Sequence, residues 1–193
     1  MEMGVSKYIR PRFALAVLKN IVLKIKYGSS IDIDLFRTYI GSGAVIVINS
    51  GGQIRFRRGR RIYVSAGCEL RASGGVLDIG AGVFFNRNCN VVAHDSVLIG
   101  PECMFGPGAA VYDADHALNR LDIPFHTQGY KVAPVELGFN VWLGSNSIVT
   151  RGTRIGASTV VGAGSLVRGE LSSGCVYAGS PARLIRKLDD SAM

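Results

Sequence analysis

Residues 137–166 read LGFNVW, LGSNSI, VTRGTR, IGASTV and VGAGSL, five blocks of six that each open on an aliphatic residue. Val167 opens a sixth. The same frame runs upstream as Ile79, Phe85 and Val91, slips by two residues, and continues as Ile99, Phe105 and Val111. All twelve heads are apolar, and seven are followed by glycine: Gly80, Gly100, Gly106, Gly138, Gly144, Gly156 and Gly162. Position five is small or aliphatic in ten of the twelve blocks, including Val83, Cys89, Cys103, Ala109, Val141, Ser147, Thr153, Thr159 and Ser165. A short fixed period with one inward head marks a solenoid. Each unit supplies a strand and a turn, and the small residue after the head lets the backbone bend. No unit buries its face alone, so stacked coils of three units must share a core.

The whole composition agrees. The 193 residues include 25 Gly, 20 Val and 16 Ile, with a net charge of +8. The glycines keep no three-residue period, which excludes collagen, and 48% hydrophobic residues exclude a disordered chain. The length suits one domain, or at most two, with a real core. Cys68, Cys89, Cys103 and Cys175 form no Cys-x-x-Cys motif and read as free thiols of a reduced compartment. Cys89 and Cys103 fall on the inward fifth position and are expected to fill the core. The first apolar run has no small-residue cleavage site, so a cytoplasmic protein is expected.

Four segments follow. Residues 1–28 are expected to hold a basic amphipathic helix over 12–27, with Pro11 in its first turn and Gly28 at its end. It is too short to span a bilayer. Lys19, Lys24 and Lys26 interrupt its apolar face. Two readings stand: a helix packed on its own domain, or a basic helix at the anionic inner face of a membrane. Residues 29–78 keep apolar stretches at 45–48 and 62–64 without a clean frame and are read as irregular first coils. Residues 79–176 carry the repeat, interrupted by a loop over 113–134. Residues 177–193 form a tail.

The repeat resembles that of the hexapeptide-repeat acyltransferases, and the sugar O-acetyltransferases (maltose, galactoside and colanic-acid types) in particular. Three further features carry the likeness: a loop histidine, His116; the segment Asn140-Val141-Trp142-Leu143-Gly144-Ser145; and the closing run Gly179-Ser180-Pro181-Ala182-Arg183-Leu184-Ile185-Arg186. The resemblance covers roughly residues 76–187. It implies an all-β fold, a left-handed parallel β-helix; the hand comes from the resemblance alone, since the general crossover rule would favour the opposite one. It also implies acetyl-CoA as acyl donor, no metal, and a homotrimer with sites between subunits.

The interruption at 113–134 contains His116 and His126, and loops on a rigid scaffold carry function. Asp115 stands on the normally apolar fifth position beside His116, a local rule broken at a loop mouth. His126 reads as a hydrogen-bonded structural residue. The resemblance makes His116 the general base that takes the proton of an attacking acceptor hydroxyl. It gives the Ser145 amide, after Gly144, to the oxyanion. No Gly-x-Ser-x-Gly elbow occurs, in keeping with direct transfer.

By the same resemblance Asn86, Asp95 and Asp115 meet the sugar or glycolipid acceptor, while Asn86 and Asp95 also suit a purely local task, satisfying turn amides. Arg168, Arg183, Arg186 and Lys187 would meet the phosphates of CoA, and Ala163 would touch CoA through its backbone. Trp142 is either a core aromatic or a wall for the pantetheine arm. Family members often carry Thr-Lys-Asp where this chain has Arg168-Gly169-Glu170.

Five arginines lie within 55–61. They read as exposed edges of early coils or as a site for an anionic lipid or lipid-linked sugar phosphate. Nucleic acid is disfavoured because only Phe56 is interleaved. A carbonic-anhydrase-type zinc site needs three histidines, and the spacing of His94, His116 and His126 does not supply the pair it requires. The favoured reading is O-acetylation of a carbohydrate in surface polysaccharide or glycolipid synthesis; antibiotic O-acetylation and a non-catalytic scaffold are the alternatives.

Overall fold

The computed structural model describes residues 11–188. The parts of the first and last segments at 1–10 and 189–193 lie outside the described residues. Seven turns of chain form a parallel β-solenoid with three sheets as its sides. The first sheet runs Ile31–Asp32, Gln53–Phe56, Val76–Ile79, Ser96–Ile99, Val135–Leu137, Arg154–Ile155 and Glu170–Leu171. The second runs Thr38–Ile40, Ile62–Val64, Phe84–Phe85, Met104–Phe105, Trp142–Leu143, Val160–Val161 and Cys175–Gly179, closed by Ala182–Lys187. The third runs Val45–Asn49, Glu69–Ser73, Asn90–Ala93, Ala110–Tyr112, Ile148–Val149 and Leu166–Val167.

All twelve heads are buried, and so are the nine named fifth-position residues. The hydroxyls among the latter bond to backbone, as Ser147 Oγ does to Gly144 O at 2.7 Å, which offsets their burial. Cys89 and Cys103 fill the core as free thiols. Burial pushes the Cys103 thiol up to about 11.

The glycines after the heads serve clearance rather than bending. None of the seven has a positive φ. A Cβ on Gly100 would stand 2.4 Å from Gly138 O, and one on Gly144 would stand 2.5 Å from Ala163 N. The left-handed backbone sits at position four instead, at residues such as Asn88, Asn140 and Asn146, where the chain rounds a corner.

Residues 29–78 lack a clean frame because their corners are uneven, yet their strands stack in register. Ile31, Ile54, Leu77 and Val97 stack in register at intervals of 23, 23 and 20 residues, against 18 between Leu137 and Ile155. Longer corners erase the six-residue frame without disturbing the coil. The C-terminal boundary also moves. Cys175–Gly179 continues the second sheet through residue 177, and Ala182–Lys187 returns antiparallel along it.

Helix α1, Pro11–Tyr27, covers the open end of the first coil. Its inward side mixes apolar and polar groups: Ala16 is buried and Leu23 packs on the core beside a set of side-chain donors. Lys24 Nζ donates to Ile31 O and Lys19 Nζ to Gly41 O, each at 2.7 Å. Asn20 Nδ2 donates to Thr38 O at 2.7 Å, and Tyr27 OH to Ile46 O at 2.9 Å. An end coil exposes carbonyls that lack a next coil, so donors are wanted inside. The lysines at 19 and 24 reach toward the first coil and so leave the apolar row of Leu15, Leu18, Val22 and Ile25 exposed without interruption.

The three outer surfaces differ. The first sheet carries ion pairs, Arg57 with Asp78 and Arg154 with Glu136. The second presents one apolar column in register: Tyr39, Tyr63, Phe84, Met104 and Trp142. The arginine run at 55–61 is divided: Arg55 and Arg57 face Asp78 and Arg60 faces Glu102, whereas Arg58 and Arg61 have no carboxylate partner among the described residues.

Candidate functional site

Each coil turns three corners, and the corner from third to first sheet is the one that opens. His94 and Asp95 form it in one coil, stacked so closely on the coil before that a Cβ on Gly75 would lie 2.6 Å from Asp95 N. In the next coil the chain leaves at Asp113, runs out along Ala114–His116, and returns antiparallel along Tyr130–Val132. It rejoins the first sheet at Val135. The departure removes the backbone that would accept the corner amides. The buried Asp113 carboxylate replaces it, taking His94 N–H and Asp95 N–H at 2.8 Å each.

This corrects the reading of Asp115 as the carboxylate on the inward position. The hairpin breaks the repeat's phase, so Asp113 points in and Asp115 points out. Asp115 Oδ2 accepts from Arg151 Nε at 2.7 Å, which pins the hairpin to the following coil. The far end of the loop is held by Gln128: its Oε1 accepts from Asn119 N and Arg120 N, and its Nε2 donates to Arg120 O. His126 stands exposed on the short helical turn Phe125–Thr127, with no hydrogen-bond partner among the described residues, so its structural reading fails.

A cavity of about 390 Å³ lies between hairpin and solenoid, lined by Arg71, His94, Tyr112, Asp115, His116 and Tyr130, with Val92 and Ala114. The ring of Tyr130 is stacked between two imidazoles, 4.4 Å from His94 and 4.6 Å from His116 by centroid. No hydrogen bond holds either imidazole among the described residues. Burial, reinforced by the charge of Glu69, pushes the Tyr112 phenol up, so it stays a neutral donor and acceptor. Among the described residues no group of three or more His, Cys, Asp or Glu side chains is placed to hold a metal ion.

The other expected residues gather elsewhere. Gly144, Ser145 and Ala163 lie at the corner from second to third sheet, where the N–H groups of Ser145 and Ala163 have no backbone acceptor among the described residues. Trp142 stands on the outward side of the second sheet, 47% exposed, and is not a core aromatic. Arg183 and Arg186 lie on the returning strand of the same sheet, both exposed. Arg168 is not with them; it follows Leu166–Val167 at the opposite edge of the third sheet.

The two acceptor candidates are also separated. Asn86 sits on the Gly106–Gly144 side of the third sheet, its Oδ1 accepting from Arg87 N, while Asp95 sits on the His116 side. Neither lines the cavity. Tyr130, Arg71 and Tyr112 were missed by sequence reading. A signal existed for Tyr130 alone, an aromatic on the interrupting loop.

Comparison with known proteins places these features in a family. No protein-family model matches the chain. The galactoside O-acetyltransferase of Lactococcus lactis subsp. lactis (strain IL1403) is 32% identical over 133 residues, 69% of this chain and 63% of that protein. The galactoside O-acetyltransferase of Escherichia coli (strain K12) is 31% identical over 61% of this chain and 57% of that protein. The chain thus spans less than two thirds of either. WbbJ of Escherichia coli (strain K12), assigned as an O-acetyl transferase of lipopolysaccharide biosynthesis, is 32% identical over 148 residues, 72% of this chain and 74% of that protein.

Two solved structures share the fold. One is a hexapeptide-repeat acetyltransferase of Vibrio cholerae O1 biovar eltor complexed with acetyl coenzyme A (TM-score 0.60, 22% identity, 93% of this chain and 85% of that one). The other is a variant of AntD, an N-acyltransferase from Bacillus cereus (TM-score 0.61, 23% identity, 79% and 84%). The repeat, the solenoid it builds and the relationship to WbbJ lead to one conclusion: this chain belongs to the hexapeptide-repeat β-helix acetyltransferase family.

Proposed function

We propose that the protein transfers the acetyl group of acetyl-CoA to a hydroxyl of a carbohydrate acceptor, in the synthesis of a surface polysaccharide or glycolipid, with His116 as general base. The observation that carries this reading is the cavity itself: an imidazole presented on a hairpin, braced by Tyr130, beside Arg71 and Tyr112. Relatives named as sugar O-acetyltransferases support the substrate class.

The acceptor hydroxyl gives its proton to the His116 imidazole as its oxygen attacks the thioester carbonyl. Negative charge gathers on the former carbonyl oxygen, which the Ser145 N–H accommodates. Collapse breaks the carbon–sulfur bond, and the CoA thiolate takes the proton back from the imidazolium. Trp142 flanks the pantetheine arm, and Arg183 and Arg186 meet the CoA phosphates. Asp115, on the cavity wall, orients the acceptor, whereas Asn86, Asp95 and Arg168 stand outside that lining.

Within one chain the two halves of this machinery sit on opposite corners of the third sheet, separated by on the order of 15 Å at the rise of a strand. That separation, and the apolar column leading to Trp142, support a homotrimer in which one copy supplies His116 and its neighbour supplies Trp142.

Turnover of acetyl-CoA against a panel of sugars and glycolipids tests the reading. His116→Ala should lower kcat by about 10²–10⁴-fold with CoA binding retained. Near-normal turnover in that variant would remove His116 from the chemistry.

A further inference from the structure

Helix Pro11–Tyr27 packs Ala16 and Leu23 inward and still leaves a row of large apolar residues in the open. Its donors are directed to carbonyls of the first coil, and its outward side is apolar. Leu15, Leu18, Val22 and Ile25 follow one another at helical spacing, a stripe about 15 Å long at the helical rise. Leu15 is 65% and Ile25 80% exposed. Beyond the helix, Phe36 is 73% exposed.

The surroundings are cationic. A groove of about 450 Å³ along one flank is lined by Phe13, Phe36, Tyr39 and Arg61, and the Arg61 guanidinium lies 5.0 Å from the centre of the Phe13 ring. Arg37, next to Phe36, reaches Gly59 O, and Lys26 lies over the Tyr27 ring. Neither Arg61 nor Arg37 has a carboxylate partner among the described residues. A second groove, of about 590 Å³, runs along the other flank between Leu15, Leu18 and Val22 and the turn 41–43.

We propose that the outer face of this helix, with Phe36 and the neighbouring Arg37 and Arg61, docks the protein onto the surface of an anionic lipid bilayer. An apolar stripe of this kind lies in the membrane plane at the headgroup–acyl boundary, and the guanidinium groups beside it meet lipid phosphates. Charge selects this occupant over a second copy of the chain, since two copies face to face would bring the same cations together. The arrangement reverses a basic amphipathic helix: the apolar residues face the lipid, and the cations come largely from the first coils. The inference is independent of which acceptor is acetylated.

Co-sedimentation of the full chain with phosphatidylcholine vesicles, with and without phosphatidylglycerol, tests it. Binding is expected only to the anionic vesicles and should weaken as salt rises. Leu18→Ser with Val22→Ser, and separately Arg61→Ser, should each weaken it about tenfold. Turnover of acetyl-CoA in solution and the thermal midpoint should stay unchanged in all variants, because these side chains are exposed and distant from His116. Failure of the unmodified protein to sediment with anionic vesicles would overturn the proposal, as would undiminished binding by the variants. A fall in solution mass of the double serine variant, read by sedimentation equilibrium, would also overturn it by making the stripe a contact between copies.

Discussion

The ring of Tyr130 lies 4.6 Å, centroid to centroid, from the imidazole of His116, at an interplanar angle of 31°. It is the only ring contact of His116 among the described residues, and no hydrogen bond assists it. Orientation of this imidazole therefore rests on stacking, which is worth about 0.5–1.5 kcal/mol for such pairs. Tyr130→Ala should lower kcat by roughly tenfold at most, whereas Tyr130→Phe should keep near-full activity. Steady-state kinetics with both variants decide, and equal loss in the two would shift the role from the ring to the phenol.

Asp113 should matter to stability more than its place at a loop mouth suggests. Two corner amides depend on its carboxylate, and removing a buried partner leaves each donor unpaired. Asp113→Ala should cost about 2–4 kcal/mol, read as a lowered urea midpoint, with loss of turnover as the hairpin loses its root. Asp113→Asn retains one acceptor and should fall between. A midpoint unchanged in the alanine variant would show that another group takes up His94 N–H and Asp95 N–H.

Cys103 supplies a pH signature. Its folded thiol titrates at about 11 against an ordinary 9.0, raised by burial. The folded state therefore holds a proton that the unfolded chain releases first. The stabilisation is complete below about pH 9 and is lost as pH rises to about 11, amounting to about 2–3 kcal/mol when fully lost. Urea unfolding across that window should show a steeper decline for the native protein than for Cys103→Ala. Parallel declines would place the alkaline sensitivity in other groups.

Periodicity revealed the solenoid because each head meets the same neighbours in every coil, so Leu143 and Val161 answer to one environment. The first coils escaped because only their corners vary: Ile31, Ile54 and Leu77 stack as faithfully as the later heads but at unequal intervals. His116 could be read as a loop histidine after a complete repeat. Its brace could not, since Tyr130 reaches it only when the hairpin folds back over 13 intervening residues. The six-residue phase puts Asp115 on the inward position only when it is carried past Asp113, where the chain leaves the coil. The helix itself was legible from its spacing, but not the use of its polar residues: the end of a parallel coil is lined with carbonyls, and Lys19, Asn20 and Lys24 donate to them.

That end cap bears on how the protein avoids joining itself end to end. A parallel solenoid presents three strand edges at its start, and unpaired edges recruit further strands from other chains. Here each of the three has a carbonyl occupied from the helix: Ile31 by Lys24, Thr38 by Asn20, and Ile46 by Tyr27. The growing face of a potential fibre is thus closed by three side chains of one short helix.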